Sequence, residues 1–505
     1  MGLAHIGTWA LNGMEAVAVS VEVHLSNGLP AFNVVGLPEG AVRESRERVR
    51  SALINSGFEL PAKRITVNLA PADLPKQGSR YDLPIALGIL VASGQLPAEP
   101  INSVNWLGEL GLSGDIRPVE GVLPAGVAAI QAGMPLGVPL ENLEELSLLT
   151  DLQVMGAAHL SEIAAWALDE GELVRPQRVP HDQSPAYTVD WAQVRGQLQA
   201  KRALEVAVAG GHAVLLVGPP GCGKSMLAER VPTLMPSLDT EAAQTVAVIH
   251  SVAGRPRRAA EFFQPPYCKG ESGLSAAGLI GGGQPVRPGL ISLAHHGVLF
   301  LDELTEFRRD ALEALRAPLE SGQVHITRAH QHVIYPARPH VLIGAMNPSP
   351  SGYYPGDPRC KETPDQIRRY LAKLSGPLLD RMDIKVAMQP VDVEAMVHLP
   401  AGEASAQVRQ RIEQAWQIQL HRQAQFNSAL EATHLEQVCQ LSASEKTLLK
   451  TLMQRLGLSA RAYVRLLRVA RTLADLAGAE QVKVEHVQEA AALQRLPGDL
   501  LGGLL

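Results

Sequence analysis

A glycine-rich stretch near the middle of the chain restricts the possible folds more than any other feature. It follows an apolar run at 213–217 and reads Gly218-Pro-Pro-Gly-Cys-Gly-Lys-Ser225, which matches the phosphate-loop pattern G-x-x-x-x-G-K-[ST]. Glycines let backbone N–H groups curl around phosphate oxygens, and the N-terminus of the helix predicted to follow adds partial positive charge. The pattern predicts nucleotide binding by Gly218, Pro219, Pro220, Gly221, Cys222, Gly223, Lys224 and Ser225.

Two residues of this loop carry the chemistry. Lys224 can reach the β- and γ-phosphates of a nucleotide such as ATP, and the Ser225 hydroxyl can ligate Mg²⁺. The alternative is a plain glycine turn, although the strand and helix predicted on either side are those that a phosphate loop requires. Cys222 is expected as an exposed thiol at a helix N-terminus, where thiolates are favoured, and it is either redox-sensitive or a loop filler.

Length, charge and cysteine content narrow the class of protein. The 505 residues predict roughly two to four domains. A formal net charge of −6 excludes a generally basic nucleic-acid coat, so any contact with DNA must be local. Four cysteines without a close pair favour a reducing compartment, and neither a signal peptide nor a membrane-spanning run is visible. We therefore expect a cytoplasmic protein that makes no membrane contact.

A second apolar run, 298–301, ends in two acidic residues, Asp302 and Glu303. The carboxyl ends of parallel strands face the ligand crevice of such a sheet. Asp302 can therefore support the Mg²⁺ ion held by Ser225, while Glu303 can polarise the attacking water. An ordinary strand that happens to end in acids is the alternative.

A third apolar run, 341–346, ends at Asn347. This amide could orient the lytic water or sense the γ-phosphate, or the Asn-Pro pair could simply be a turn. The three runs in this order resemble the AAA+ ATPases, and within them the group that contains the magnesium-chelatase ATPase subunit and the MCM helicases. The resemblance implies an α/β fold in which a P-loop ATPase core is followed by a helical lid.

Two insertions carry the resemblance to that group. Residues 273–288 would interrupt a helix with a glycine-rich loop, and 324–335 alternate as two arms of a β-hairpin with Arg328, Ala329 and His330 near its tip. In that group both insertions point into the pore of a ring, which implies DNA contacts by Arg328 and His330. A metal site is the alternative for the three histidines of the hairpin, His325, His330 and His332.

The segment after Asn347 is a second place where a metal site has to be considered, in this case for zinc. Many members of the group carry cysteines there in a Cys-x-Cys…Cys-x-Cys arrangement, but Ser349, Ser351 and Glu362 stand at three of those places and only Cys360 remains. A closed zinc site needs four ligands, usually thiolates or imidazoles. We therefore expect no zinc.

The resemblance also implies arginines that complete a neighbouring subunit's site. Arg381, in Leu-Leu-Asp-Arg, matches the finger that stabilises the transferred phosphoryl group. An intrachain pair with Asp380 or Asp383 is the alternative, and Arg368 and Arg369 compete for the role.

The carboxyl-terminal helices contain a further candidate. From Lys446 to Arg471 there are seven basic residues and no acid, and Arg461, Arg465 and Arg468 share one helix face. Arg461 matches the second sensor arginine that touches the γ-phosphate. Arg465 and Arg468 are expected at an intersubunit surface.

Residues 1–170 resemble the proteolytic domain of Lon-type proteases. Asp82 stands at the position of that family's nucleophilic serine, and its lysine position falls near Leu123. A serine nucleophile needs an adjacent base, and no lysine follows the nearby Ser79 at the family's spacing. We expect an α/β scaffold without peptidase activity, joined through a linker at 171–190 to an ATPase core at 191–395 and a lid at 396–505.

The whole chain resembles the YifB/ComM family of magnesium-chelatase-like AAA+ ATPases. The resemblance implies a homo-oligomeric ring, expected to be a hexamer, that hydrolyses ATP and acts as a helicase on single-stranded or branched DNA. The implied role is branch migration during recombination of incoming DNA in natural transformation, with a recombinase as a candidate partner. The alternatives are a chelatase-like motor subunit and a protein-remodelling ATPase or protease.

Overall fold

The computed structural model describes residues 2–36, 40–72, 74–177, 187–328, 331–374, 376–390, 401–456, 459–494 and 496. Much of the linker expected at 171–190 lies outside these residues, as do Ala329 and His330 at the hairpin tip. No helix among the described residues has the length and apolar character needed to cross a membrane.

The amino-terminal domain, residues 2–170, is built on a four-stranded sheet. Its strands, in spatial order, are Gly2–Asn12, Glu15–Ser26, Arg64–Ala70 and Ala31–Val35. The alternation seen in the sequence of the second strand buries Val19, Val21 and Val23 and leaves the residues between them partly exposed. Helix Gly40–Asn55 follows the strand Ala31–Val35, and helix Asp82–Ala92 follows the strand Arg64–Ala70 and precedes the second half of the domain.

That second half has a small parallel sheet, ordered Asn105–Trp106, Leu136–Pro139 and Val154–Ala157. Glu109–Leu110 pairs with Ile116–Arg117. The α-helices here are Ala98–Asn102, Val122–Ala132, Leu143–Leu146 and Leu160–Ala167.

The phosphate-loop domain, residues 187–390, contains a five-stranded sheet in which all strands are parallel. Its spatial order is Tyr267–Gly270, Val298–Leu301, Val341–Met346, Val214–Val217 and Ile384–Ala387. The three apolar runs of the sequence are the three central strands, buried on both faces as parallel strands usually are.

The α-helices of this domain are Leu198–Gly210, Lys224–Arg230, Thr240–Val252, Ala276–Ile280, Leu290–Leu293, Arg309–Ala314, Arg316–Ser321, Pro364–Leu371 and Gly376–Leu379. The first insertion places Ala276–Ile280 before a short strand pair, Gly281–Gly282 with Arg287–Pro288. The predicted hairpin is present as Gln323–Arg328 paired with Gln331–Pro336.

The helical lid, residues 401–496, consists of Ser405–Gln423, Ala432–Cys439, Ala443–Leu456, Ala460–Leu476 and Val484–Ala492. It packs on the phosphate-loop domain through apolar side chains and a few buried polar groups. His212 Nε2 lies 2.8 Å from Thr472 Oγ1, and Gln419 Nε2 donates to the Ala209 carbonyl at 2.9 Å. These bonds satisfy polar groups that burial would otherwise leave unpaired.

One hydrophobic core crosses the boundary between the first two domains. Helix Val122–Ala132 packs against Thr240–Val252, and Phe262 is fully buried in the same cluster. Backbone contacts cross as well, since Gly121 N–H donates to the Ser251 carbonyl at 3.0 Å. The expected scaffold is therefore packed directly onto the phosphate-loop domain by shared apolar surface.

Glu145 makes this boundary sensitive to pH. Its side chain is 3% exposed and accepts a hydrogen bond from Asn142 at 3.0 Å. Burial raises its pKa to about 7, although Ser251 and Asn142 favour the charged form. Between the ordinary carboxyl pKa and pH 7 the folded protein binds more protons than the unfolded chain. Its free energy of unfolding therefore falls as pH rises through that window.

We expect Glu145→Gln to remove this dependence. The variant should match the wild type near pH 5 and exceed its stability at pH 8 by about 2 kcal/mol, because the unfavourable buried charge is gone. Thermal or urea unfolding at the two pH values measures the difference. The exposed Glu141→Gln is the matched control; an equal effect of both substitutions at pH 8 would contradict the assignment.

Candidate functional site

The phosphate loop, Asp302 and Asn347 meet at one edge of the central sheet. The phosphate loop follows Val214–Val217, Asn347 follows the neighbouring strand Val341–Met346, and Asp302 follows Val298–Leu301 beyond it. The carboxyl ends of parallel strands share an edge, which is why three distant sequence segments form one site.

Lys224 lies at the centre of this site. Its Nζ donates to the carbonyl oxygens of Gly218 at 2.6 Å and Pro219 at 3.0 Å, and to Asn347 Oδ1 at 3.0 Å. Burial lowers its pKa, while the nearby Cys222 and Asp302 oppose that shift. The ammonium group is therefore held at the loop, in contact with the residue predicted to sense the γ-phosphate.

Ser225 and Asp302 provide a pair of oxygen ligands. Ser225 Oγ donates to Asp302 Oδ2 at 3.0 Å. A hydroxyl and a carboxylate at this separation suit Mg²⁺, which prefers oxygen ligands and keeps several waters. Lys269 Nζ lies 3.5 Å from the same carboxylate oxygen and limits its negative charge. No motif or spacing singles out Lys269, which lies on the edge strand Tyr267–Gly270.

Glu303 has an unusual backbone conformation. Its φ of +52° is in the left-handed region, which residues other than glycine seldom adopt. Its N–H donates to Asp302 Oδ1 at 3.1 Å. Such backbone strain is concentrated at functional sites, and here it turns the chain sharply at the end of the strand.

The phosphate loop is shaped by glycines and by its neighbours. Gly221 and Gly223 have φ values of +76° and +93°, which require glycine at both places. Gln197 Nε2 donates to the Cys222 carbonyl at 3.0 Å and to the Gln389 carbonyl at 2.7 Å. Gln197 could not be predicted from the sequence, because nothing in its local pattern distinguishes it from a surface amide.

The prediction that Cys222 has an exposed thiol is wrong. The residue is 4% exposed, and burial raises its pKa although Lys224 favours the thiolate. Its Sγ faces the backbone of Gly218, where an added Cβ would come within 2.8 Å. Burial outweighs the helix N-terminus here, so the loop-filler interpretation is the one that the structure favours.

The segment after Asn347 packs over the loop. The turn at Gly352 leaves no room for a side chain against Pro220, and Tyr354 Oη donates to the Val217 carbonyl at 2.8 Å. Sequence reasoning gave no sign of Tyr354. Both contacts fix this segment against the strand that carries the phosphate loop.

The four positions considered for zinc lie together in that segment. Ser349 Oγ lies 3.1 Å from Ser351 Oγ, and Ser351 Oγ donates to Glu362 Oε2 at 2.6 Å. Cys360 Sγ donates to the same carboxylate oxygen at 3.5 Å. The side chains thus form a connected hydrogen-bond network with one thiol, a donor set that does not match a closed zinc site.

A second charged group lies in a cleft between the phosphate-loop domain and the lid. The cleft is lined by Arg316, Glu320, Asp380, Arg381, Ala460, Arg461, Val464, Arg465 and Arg468. The two arginines proposed to touch nucleotide, Arg381 and Arg461, therefore share one surface. No residue of the phosphate loop lines that cleft.

The arginines of this cleft differ in how they are held. Arg381 pairs with Glu320 of the same chain, a carboxylate that the sequence pattern does not single out. Burial lowers its pKa, with help from the neighbouring arginines. Arg461 is 85% exposed with its nearest carboxylate at 3.9 Å.

The other arginines named with them are committed to contacts within the chain. Arg465 donates to the Asp380 carbonyl at 2.7 Å, and Arg468 donates to the Leu430 carbonyl at 2.8 Å. Both residues also line the cleft with Arg381 and Arg461, so their place at an intersubunit surface stays a prediction. Arg368 pairs with Asp365 on its own helix.

The hairpin places Arg328 at the exposed end of its first arm. A side chain at Gly282 would lie 3.7 Å from Arg328 Nη2, so the two insertions adjoin each other. His325 and His332 have ring centroids 5.8 Å apart, and His332 Nδ1 bonds Thr327 Oγ1 at 3.0 Å. Within the described parts of the chain, no group of three potential metal ligands is found.

In the amino-terminal domain, Asp82 is engaged in an ion pair. The carboxylate is fully buried and receives Arg48 Nε at 2.6 Å and Nη2 at 3.1 Å. Ser79 Oγ donates to Glu109, and Leu123 is buried. A carboxylate locked by a guanidinium is not a nucleophile of the serine-protease kind, which agrees with a scaffold role.

Comparisons with known proteins match this arrangement. A family model described as "Magnesium chelatase, subunit ChlI" matches residues 190–396, "Subunit ChlI of Mg-chelatase" matches 21–142, and "Magnesium chelatase, subunit ChlI C-terminal" matches 402–494.

Several curated proteins are similar over nearly the whole chain. The uncharacterized protein YifB of Salmonella typhimurium is 45% identical over 500 residues, covering 98% of each chain. Competence protein ComM of Haemophilus influenzae is 43% identical over 496 residues, covering 97% of each. Lon protease 2 of Bacillus subtilis is 26% identical over 200 residues, covering 36% of this chain and 34% of its own.

We expect Cys222 to react slowly with iodoacetamide in the native protein. Its thiol is buried and its pKa is raised, so both access and thiolate fraction are low. Mass spectrometry at pH 8 should find it alkylated about tenfold more slowly than the partly exposed Cys360. The denatured protein is the control, where the two should react alike; equal native rates would contradict the buried placement.

Proposed function

Because the chain belongs to the YifB/ComM family of magnesium-chelatase-like AAA+ ATPases, we propose that it is a ring-shaped, ATP-driven DNA translocase that promotes branch migration. The observation that carries the ATPase part is the meeting of Lys224, Ser225, Asp302 and Asn347 at one sheet edge. These are the groups that phosphoryl transfer needs for positioning and charge stabilisation.

The residues would divide the work as follows. Lys224 exchanges its contacts with the loop carbonyls for the β- and γ-phosphates of ATP. Ser225 and Asp302 would hold Mg²⁺, which supplies neutralising charge for the phosphates when bound. Glu303 polarises the attacking water. Asn347 already contacts Lys224, so it is placed to respond when that lysine turns to the γ-phosphate.

The arginine cleft supports a ring. Arg381 and Arg461 line one surface that the phosphate loop of the same chain does not join. We propose that this surface faces a neighbouring subunit, where both guanidinium groups reach the neighbour's ATP. Heterologous contacts of this kind close into rings, and a hexamer is the proposed form.

The DNA part of the proposal is supported by the hairpin and by a relative's name. Arg328 lies at the exposed end of a hairpin arm and adjoins the glycine-rich insertion. Phosphate contacts by this arginine and by His330 would be independent of sequence and sensitive to salt. Because the relative from Haemophilus influenzae is named a competence protein, we propose action on incoming DNA in the cytoplasm, with a recombinase as partner.

A chelatase-like motor that remodels a partner protein is the second candidate. The match to magnesium-chelatase subunit models favours it. The two differ in what stimulates hydrolysis of ATP. A motor that acts on DNA should hydrolyse ATP faster when branched DNA is present, whereas a protein-remodelling motor should not respond.

We expect Lys224→Ala and Arg381→Ala to abolish ATPase activity separately and to complement each other when mixed. In a randomly mixed ring, about one quarter of the interfaces join an intact phosphate loop to an intact arginine. The mixture should therefore regain ATPase activity that neither variant has. The control is the variant Lys446→Ala, which changes an exposed residue outside the phosphate loop. Mixed with Arg381→Ala in the same way, it gives the ATPase activity of rings in which every phosphate loop is intact. No recovery in the first mixture, with assembly intact, would place Arg381 in its own subunit's site.

We expect branched DNA to stimulate ATP hydrolysis by the wild type and to stimulate Arg328→Ala less. The substitution removes a phosphate contact, so DNA affinity should fall and the salt dependence should become shallower by about one unit of slope. The affinity for ATP should stay unchanged. Arg46→Ala, on an exposed face of the first helix, is the control. A wild type unaffected by single-stranded, double-stranded and branched DNA would refute the DNA motor.

A further inference from the structure

The amino-terminal domain contacts more than one element of the phosphate-loop domain. Besides the shared core, Leu123 N–H donates to Ser251 Oγ at 3.4 Å and Ala259 N–H donates to Glu144 Oε1 at 3.0 Å. Helix Thr240–Val252, which receives one of these bonds, precedes the strand Tyr267–Gly270 and then the first insertion along the chain. The domain is therefore fixed at the base of the elements that the proposed function places in the pore.

Glu120 extends this contact onto the first insertion. Its Oε2 accepts a hydrogen bond from Arg287 Nη2 at 2.6 Å, and Arg287 lies on the strand pair that closes the glycine-rich loop. On the other side, the Glu120 carbonyl accepts from Arg80 Nη2 at 2.6 Å, and Arg80 is only 6% exposed. Glu120 is thus anchored in its own domain while its carboxylate holds the insertion.

The backbone at Gly254 lies directly against this ion pair. At Gly254 a Cβ would lie 2.5 Å from Glu120 Oε1 and 3.4 Å from Arg287 Nη1, and φ there is +69°. The backbone conformation favours glycine here, and an added side chain would force the Glu120 carboxylate to shift. The close backbone limits how far the two charged groups can move.

The contacts continue to the hairpin. Tyr335 is fully buried and its hydroxyl donates to the Val286 carbonyl at 3.2 Å, which joins the second arm to the first insertion. The turn at Gly13 reaches the same arm directly, where a Cβ would come within 2.6 Å of Val333 Cγ1. Both insertions are therefore in contact with the amino-terminal domain.

We propose that the amino-terminal domain is a brace that positions both insertions, with the Glu120–Arg287 ion pair as its adjustable contact. The protease-like fold would then serve the motor through rigidity. The effect on DNA, but not the brace itself, rests on the function proposed above. Glu120 and Arg287 are positioning residues, since they act through the loop that they hold.

The exposure of the pair separates this role from a general structural one. The side chains of Arg287 and Glu120 are 45% and 52% exposed. Half-exposed ion pairs add little to global stability, because water and salt screen them. Breaking the pair should therefore leave the unfolding temperature nearly unchanged while it loosens the insertion.

The test is a charge exchange in the full-length protein. Glu120→Lys and Arg287→Glu are made singly and together, and hydrogen–deuterium exchange is followed at 281–288 without DNA or nucleotide. Each single variant should exchange about threefold faster or more in this segment, and the double variant should return toward the wild type, because the opposite charges meet again. Glu47→Arg is the matched control, since Glu47 pairs with Arg46 on its own helix at 2.9 Å.

A second measurement follows DNA-stimulated ATPase activity in the same proteins. The single variants should lose stimulation while KM for ATP stays unchanged, and the double variant should regain it. The brace would be overturned if hydrogen–deuterium exchange at 281–288 were unchanged in both single variants. It would also be overturned if the double variant exchanged as fast as the sum of the two single effects predicts. If the exchange pattern holds but the wild type ignores DNA, the brace stands and the DNA motor falls.

Discussion

Neighbouring parallel strands must end at the same edge of their sheet, and the chemistry proposed for this protein depends on that constraint. Val217 is in register with Met346, and Leu301 with Gly344. The residues that follow these strands are therefore neighbours although the chain between them is long. The 3.0 Å contact of Ser225 with Asp302 and the 3.0 Å contact of Lys224 with Asn347 follow from that register.

In the proposed ring, this site is completed by a neighbouring chain. The arginine-lined cleft lies against the lid, away from the loop that it would complete. A catalytic centre divided as proposed would tie hydrolysis to assembly, because a free subunit would lack the arginine charge that stabilises phosphoryl transfer. The amino-terminal domain links further parts of the molecule, since it packs on one side of the phosphate-loop domain and contacts both insertions.

Residues fixed by a local pattern could be predicted from the sequence, and residues fixed by distant contacts could not. The phosphate loop, Asp302, Asn347 and the hairpin arms were predictable, because a motif or an apolar run determines each of them. Gln197 and Lys269 were not, since only the folded chain brings them to the loop. The prediction of an exposed Cys222 thiol was wrong, because the burial of this side chain depends on how the whole loop packs.

The shared core between the first two domains has a consequence during synthesis. Helix Val122–Ala132 leaves the ribosome well before its partner Thr240–Val252 has been made. At ordinary elongation rates, the apolar side chains of the earlier helix that pack against Thr240–Val252 stay exposed to water for roughly 5 to 20 seconds. Nascent chains of this protein should therefore depend on chaperones that shield apolar surface, and a stop or a slow codon within that interval would favour aggregation over folding.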